Sequence, residues 1–260
     1  MVFKEITSRE NPLIKLVLSL QSSAKKRREN GLFVLEGLRI CLDAFENGIK
    51  FEKLIITPNV QKKFASEIES FSENSKECYL ISDDLFKKIS DTSSPQGIIA
   101  LALIPESDNA VLRMNGRYIA LENLNDPSNL GAVSRTAEAL GVSGIILSDG
   151  SCDPYSPKAL RASMGTLLRM PVFVLNDFMN DIINAGLTTY SCVVDKDAES
   201  INNSSFCDGS VIIIGNEANG ITDETKALSD KRITIPMSGR ADSLNAAVAA
   251  SIAMWELMKQ

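Results

Sequence analysis

The residues able to do chemistry lie in three polar loops. The first runs from Leu121 to Gly141 and carries Asn129 and Arg135, the second from Val211 to Ile221 and carries Glu217, and the third from Ile233 to Ala253 and carries Ser243, Leu244 and Asn245. These side chains supply a carboxylate, a guanidinium, amides and a hydroxyl. They supply no imidazole, because the 260-residue chain contains no histidine. Ser-His-Asp and Cys-His nucleophilic catalysis, HExxH zinc proteolysis and HxE zinc deamination are therefore excluded, since each needs an imidazole as base or ligand. Proton transfer has to run through carboxylate, Lys, Arg, Tyr, hydroxyl, backbone or water.

Taken singly, each loop has a structural reading beside the functional one. In the first, Leu130, Val133, Ala137 and Leu140 make a helical stripe with Asn129 or Ser128 as cap and Gly141 as stop. Arg135 falls off that stripe, as a solvated charge or as a group for a ligand. In the second, Gly215 and Gly220 flank Asn216 and Glu217 and permit positive φ and close backbone approach, which suits a tight turn as well as a bound molecule. Neither a Walker A loop nor a GxGxxG dinucleotide loop is present. In the third, either Asp242 or Ser243 caps an Ala-rich helix, or backbone N–H groups near Leu244 border a ligand cleft with Ser243 and Asn245 as polar contacts.

The elements that must position these loops read as α/β throughout. Asn11-Pro12 opens a helix, residues 32–35 form a strand, and 37–47 form a helix ended by Gly48. Strands follow near 53–57, 77–81 and 98–103, with helices around 60–70 and 82–89. Residues 105–116 keep no period and hold Pro, Ser, Asp, Asn and Gly, so a linker is expected there, between domains 1–104 and 117–260. Beyond it, strands at 118–121, 144–147, 172–174, 188–194, 211–214 and 232–235 alternate with helices at 129–140, 157–169, 177–185 and 243–259. That alternation predicts a parallel sheet covered on both faces, with ligands bound at the carboxyl ends of its strands.

A composition of 44% hydrophobic and 23% charged residues is that of an ordinary globular chain. The longest apolar run, Ile98 to Ile104, is far short of the roughly 20 residues of a membrane span. The N-terminus lacks the apolar stretch of a secretory signal, so a cytoplasmic location is expected. Cysteines 41, 78, 152, 192 and 207 are odd in number and form no CxxC, which supports neither a disulfide framework nor a zinc site, and no metal is expected. Net charge is -6, yet residues 1–28 hold seven basic against two acidic side chains, +5, leaving -11 for the rest. The run Lys25-Lys26-Arg27-Arg28 is either a solvated loop or a patch for phosphates.

In order and spacing, the segments Asn129-Leu-Gly-Ala-Val-Ser-Arg135-Thr-Ala-Glu-Ala-Leu-Gly141, Ile212 to Ile221 and Ile235 to Ala250 resemble the three signature motifs of the SpoU/TrmH branch of SPOUT methyltransferases. The likeness covers residues 118–258. Ser156 to Gly165 resembles the family's second helix, and Phe33 to Arg39 with Ser94 to Ile98 resembles, more loosely, its ribosomal-protein-like substrate-binding domain. The resemblance implies an α/β fold with a C-terminal trefoil-knotted parallel-sheet domain and a smaller N-terminal substrate-binding domain. It implies methyl transfer from S-adenosyl-L-methionine to a ribose 2'-hydroxyl of RNA, with ribosomal RNA, 23S in particular, favoured over transfer RNA and over a non-enzymatic RNA-binding role. Asn129, Arg135, Glu217, Ser243 and Asn245 are implied to share the active site, and Val194, Gly215, Ile235, Met237 and Leu244 to border the cofactor.

A guanidinium stays protonated, with a pKa above about 12, so Arg135 is expected to stabilise a developing alkoxide and the adjacent phosphate in a confined cleft. Glu217 is expected to fix Arg135 or a substrate hydroxyl, and Asn129, Ser243 and Asn245 to orient ribose and loop. RNA contact is assigned to Lys25, Lys26, Arg27, Arg28 and Arg39. Members of the family are typically homodimers, and the face Val248, Ile252, Trp255 and Met258 of the closing helix suits a dimer surface or a core.

Overall fold

The computed structural model describes residues 2–105 and 111–259. Residues 106–110 of the expected linker lie outside the described residues. The chain divides into two compact units, Met1–Glu106 with Tyr155–Arg161, and Ser107–Pro154 with Ala162–Gln260.

The first unit follows the order β1 (Lys4–Ile6), α1 (Pro12–Ser22), α2 (Ala24–Asn30), β2 (Leu32–Glu36), α3 (Leu38–Glu46), β3 (Phe51–Ile56), α4 (Pro58–Lys63), α5 (Ala65–Glu73), β4 (Ser75–Ile81), α6 (Asp83–Ile89) and β5 (Ile98–Leu103). Its five strands lie in the order β1-β4-β3-β5-β2, with β4 parallel to both β1 and β3, and β5 antiparallel to β3 and β2. Asn11 caps α1 through its side chain and Pro12 takes the first turn, where a missing N–H costs nothing. Leu13, Ile14, Val17 and Leu20 of α1 then pack into a core with Val34, Ile55, Phe86 and Ile99.

The basic run is not a loop. Residues 24–30 form α2, capped by Ser23 and stopped by Gly31 in the left-handed region. The predicted helix around 60–70 is two helices, α4 and α5, separated at Phe64.

The second unit runs β6 (Tyr118–Leu121), α7 (Pro127–Leu140), β7 (Gly144–Ser148), α8 (Pro157–Ser163), β8 (Val172–Leu175), α9 (Phe178–Asn184), β9 (Thr188–Cys192), β10 (Glu199–Ser200), β11 (Ser210–Ile214), α10 (Asp223–Leu228), β12 (Lys231–Thr234) and α11 (Ala246–Met258). The first residues of α8 fall to the other unit by the division above. All seven strands pair in parallel, in the order β10-β12-β9-β11-β6-β7-β8. β6, β7 and β11 are buried at every residue, as expected of central strands covered on both faces.

Helix boundaries differ from the sequence reading for local reasons. α7 starts at Pro127 with Asp126 as cap, accepting from the Ser128 N–H, because Asp-Pro repeats the cap-then-proline signal of α1. α11 is capped by Asn245, not by Asp242 or Ser243. The expected helix 157–169 breaks at Met164 and Gly165, both at positive φ, before a short 3-10 turn at Thr166–Leu168. Gly131 lets α7 approach the last residues of α8: a Cβ there would lie 2.4 Å from Ala162 Cβ and 2.7 Å from the Ser163 nitrogen.

Candidate active site

One hydrogen-bonded relay joins the three loops. As cap of α11, Asn245 uses its Oδ1 to accept from the N–H groups of Ala247 (2.9 Å) and Val248 (3.3 Å). Its Nδ2 must then donate outward, and does so to Asn129 Oδ1 at 3.1 Å. Asn129 in turn donates through Nδ2 to Glu217 Oε1 at 2.8 Å, and Glu217 Oε2 accepts from the Asn125 N–H at 3.3 Å. The helix cap thus sets the polarity of the whole chain, and its far end has to be an acceptor, a carboxylate.

The charge state of Glu217 agrees with this. Partial burial raises its pKa, but the Asn129 amide and the backbone N–H groups of Glu217, Asn125 and Asp126 outweigh that and hold the carboxyl below its ordinary value of 4.5. Nearby thiols are not nucleophiles: burial, with Glu217, Asp153 and Asp126 adding to it, pushes Cys152 up to about 12, and burial alone pushes Cys192 up to about 11.

Beside the relay lies a cleft of about 620 Å³ at the carboxyl ends of the adjacent strands β12, β9 and β11. That is the place and size expected for a small-molecule site in an open parallel sheet. All five residues expected to border a cofactor line it: Val194, Gly215, Ile235, Met237 and Leu244. Strand β9 ends at Cys192, the Val193 N–H makes a last bond to the Ile233 carbonyl at 2.8 Å, and the chain then runs through Val194 in the cleft wall. At Gly215 a Cβ would lie 2.1 Å from the Gly220 carbonyl carbon, so only glycine permits the paired Asn216–Gly220 turn that forms the opposite wall. Ile214, Ile221, Ile235, Met237 and Leu244 give an apolar bed, and Asp195, Asp223, Lys226 and Arg232 give polar groups at the same cleft. Apolar walls with a few charged groups and close backbone fit a nucleoside bearing a charged amino-acid tail.

Of the expected catalytic residues, Asn129, Glu217 and Asn245 are joined by the relay, and Glu217 and Ser243 line the cleft. Arg135 stands apart. It is exposed, is not among the residues lining that cleft, and among the described residues has no hydrogen bond or ion pair to Glu217. Of the two expected roles of Glu217, fixing Arg135 or a substrate hydroxyl, the first is not seen within one chain, where the side chain paired with Glu217 is Asn129. Sequence reasoning passed over Asn216, which accepts from the Ala218 and Asn219 N–H groups and donates to the Asn123 carbonyl at 2.6 Å. The signal available was an Asn directly before the polar turn, the usual place for a side chain that folds back on its own backbone.

In the first unit, Lys25, Lys26, Arg28 and Arg39 are exposed, and Lys25 and Lys26 both pair with Glu29, at 3.9 and 2.7 Å. Arg27 departs from its expected role. It is 4% exposed, and its guanidinium donates to the carbonyls of Leu20 and Gln21 in the last turn of α1. A cation there satisfies orphan carbonyls and opposes the negative end of the helix, so it is spent on the fold.

A parallel α/β sheet with a small-molecule-sized cleft at its strand ends and an amide-carboxylate relay beside it belongs to the class of α/β proteins that bind a ligand at the carboxyl edge of the sheet. Residues 116–255 match the SpoU rRNA Methylase family, and residues 2–100 match an MRM3-like substrate binding domain. The chain belongs to the SpoU rRNA methylase family. It is 30% identical to the 23S rRNA (guanosine(2553)-2'-O)-methyltransferase RlmP of Bacillus subtilis, over 98% of this chain and 99% of that protein. It is 27% identical to the 23S rRNA (uridine(2479)-2'-O)-methyltransferase of Streptomyces viridochromogenes, over 99% of this chain and 92% of that one. Among solved structures, the AdoMet-bound rRNA methyltransferase from Sinorhizobium meliloti superimposes with a TM-score of 0.86 at 29% identity, covering 98% of this chain and 97% of that one. The chain is an RNA methyltransferase that uses S-adenosylmethionine. Among the described residues no helix is long and apolar enough to cross a membrane, and no cluster of His, Cys, Asp or Glu is suited to a metal ion.

Proposed function

We propose that this enzyme methylates a ribose 2'-hydroxyl of 23S ribosomal RNA in the cytoplasm, at the rim where the Asn245–Asn129–Glu217 relay meets the cleft. The observation that carries the reading is the relay itself: three loops distant in sequence converge on one ionised carboxylate beside a cofactor-sized space. Two relatives with 23S names align over nearly the whole chain, and the matched N-terminal substrate-binding domain supports a ribosomal target over a tRNA loop.

Val194, Gly215, Ile235, Met237 and Leu244 would hold S-adenosylmethionine, which supplies a methyl carbon already activated by its sulfonium. The residues of the chain then have mainly to position the acceptor, a contribution that reaches about 7–11 kcal/mol in favourable intramolecular cases. Glu217 accepts a hydrogen bond from a ribose hydroxyl, Asn129 and Ser243 orient the ring, and Arg135 stabilises negative charge on the acceptor oxygen while its proton passes to water. Lys25, Lys26, Arg28 and Arg39 contact RNA phosphates.

Arg135 reaches the relay from a second copy of the chain. The outward face of α11 supports this: Val248 is 48% and Trp255 60% exposed, while Ala246, Ala250, Ala253, Met254 and Leu257 fill its buried face. α7 and α11 lie side by side, with Thr136 and Ser251 hydroxyls 3.2 Å apart, so Arg135 and this apolar face belong to one helix pair. A homodimer through that face covers it and completes each site. The test of the function is transfer of labelled methyl to purified 23S rRNA and to tRNA, followed by ribose-methylation mapping. One labelled ribose in 23S rRNA is expected; label on tRNA alone, or on a base, would replace the reading.

A further inference from the structure

Glu122 is a buried carboxylate that the chemistry above does not use. It directly follows β6, is 5% exposed, and among the described residues has no ion-pair partner. Its oxygens are satisfied instead by the hydroxyls of Thr222 (2.7 Å) and Thr225 (2.6 Å) and by the Thr222 N–H (2.9 Å). A buried charge is costly unless its lone pairs are engaged, so these three donors are held in place by the charge they serve.

The position of those donors gives the arrangement its meaning. Thr222 caps α10 and ends the Gly215–Ile221 cleft wall, while at the other end of that wall Asn216 donates to the carbonyl of Asn123, the neighbour of Glu122. The wall is therefore tied at both ends to residues 122–123. Thr225 extends the tie: its carbonyl accepts from Ser229 Oγ at 2.7 Å, and Ser229 Oγ lies 2.5 Å from Ser191 Oγ, next to Cys192 in the facing wall.

We propose that Glu122 is a positioning residue for the cofactor: through Thr222 and Thr225 its carboxylate holds the Gly215–Ile221 wall in the conformation that binds S-adenosylmethionine. This rests on the reading that the cleft is the cofactor site. The full-length protein is titrated with S-adenosylmethionine by calorimetry and assayed at varied cofactor and RNA. Thr225→Val and Glu122→Gln should each raise the cofactor Kd about tenfold, about 1.4 kcal/mol, whereas Thr225→Ser, which keeps the hydroxyl, should bind as wild type. KM for RNA should stay within about twofold, a split that general destabilisation does not produce. Ile182→Val, in the core of α9, lowers melting temperature without touching the tie and should leave the Kd unchanged. If Glu122→Gln does not fold, Thr225→Val decides, because the carboxylate then keeps both Thr222 donors. A Thr225→Val Kd within about twofold of wild type, or a rise matched by Ile182→Val, overturns the proposal. Failure of the wild-type protein itself to bind would instead overturn the cofactor reading.

Discussion

Glu217 is held ionised by donors it did not recruit by charge: an amide whose orientation is dictated by a helix cap, and backbone N–H groups of its own and the facing loop. Glutamine at 217 would present an acceptor oxygen at one position only and would set an N–H against another N–H at the other. Glu217→Gln should therefore retain S-adenosylmethionine binding but lose methyl transfer by at least about tenfold, since a charged acceptor is worth about 1.5–3 kcal/mol per hydrogen bond. The sign of the pH effect follows from the depressed pKa. The carboxylate and the order it gives the relay are fully present above the ordinary value of 4.5 and are lost as pH falls through the lower folded value. Single-turnover methylation should thus show no acid limb from Glu217 between about pH 5 and 8. A limb in that window that disappears in Glu217→Gln would contradict the assignment.

At the scale of elements, the site depends on how closely helices and loops approach. Asn129 opens the first turns of α7, and α7 is seated by Gly131 against Ala162 and Ser163, where the nearest atoms to an added Cβ include backbone at 2.6 and 2.7 Å. Backbone cannot yield as a flexible side chain does. Gly131→Ala should cost about 1–3 kcal/mol of stability by overpacking, despite the better helix propensity of alanine. Denaturant unfolding measures this, and a stabilised Gly131→Ala would show that the packing is looser than these distances require. The same reasoning explains Arg27. A basic run read along the sequence looks uniform, but α2 turns one of its four charges inward onto the end of α1, leaving the other three as candidates for phosphate.

At the scale of the molecule, the proposed homodimer brings Arg135 of one copy to the relay of the other and covers the exposed Trp255. If Arg135 serves the partner's relay, Arg135→Ala and Glu217→Gln chains should each be inactive alone. Mixed in equal amounts and allowed to exchange, they should recover roughly a quarter of wild-type activity, because half of the dimers then hold one intact site of two. No recovery, with subunit exchange verified by sedimentation of differently tagged chains, would assign Arg135 to its own subunit. The trefoil threading implied by the family resemblance belongs to this scale as well, and no local periodicity encodes it.

The family resemblance implied Val194, Gly215, Ile235, Met237 and Leu244, which are among the residues lining the cleft, whereas the alternation of strand and helix, the parallel sheet of the second unit and the three polar loops could be read directly along the chain. These are legible because period, β-branched runs and glycine stops are local properties of a chain. Where local signals compete, the reading slipped by a few residues, as at the Asp126 and Asn245 caps and at the Met164–Gly165 break. Tertiary structure alone decided which side chains pair. It gave Glu217 to Asn129, left Arg135 exposed outside the single-chain relay, turned Arg27 into a helix cap and made Glu122 the tie behind the cleft wall. The Asn129–Glu217 and Glu122–Thr222 pairings join residues 88 and 100 positions apart, and their energies arise from burial and hydrogen-bond polarity that no window of sequence contains.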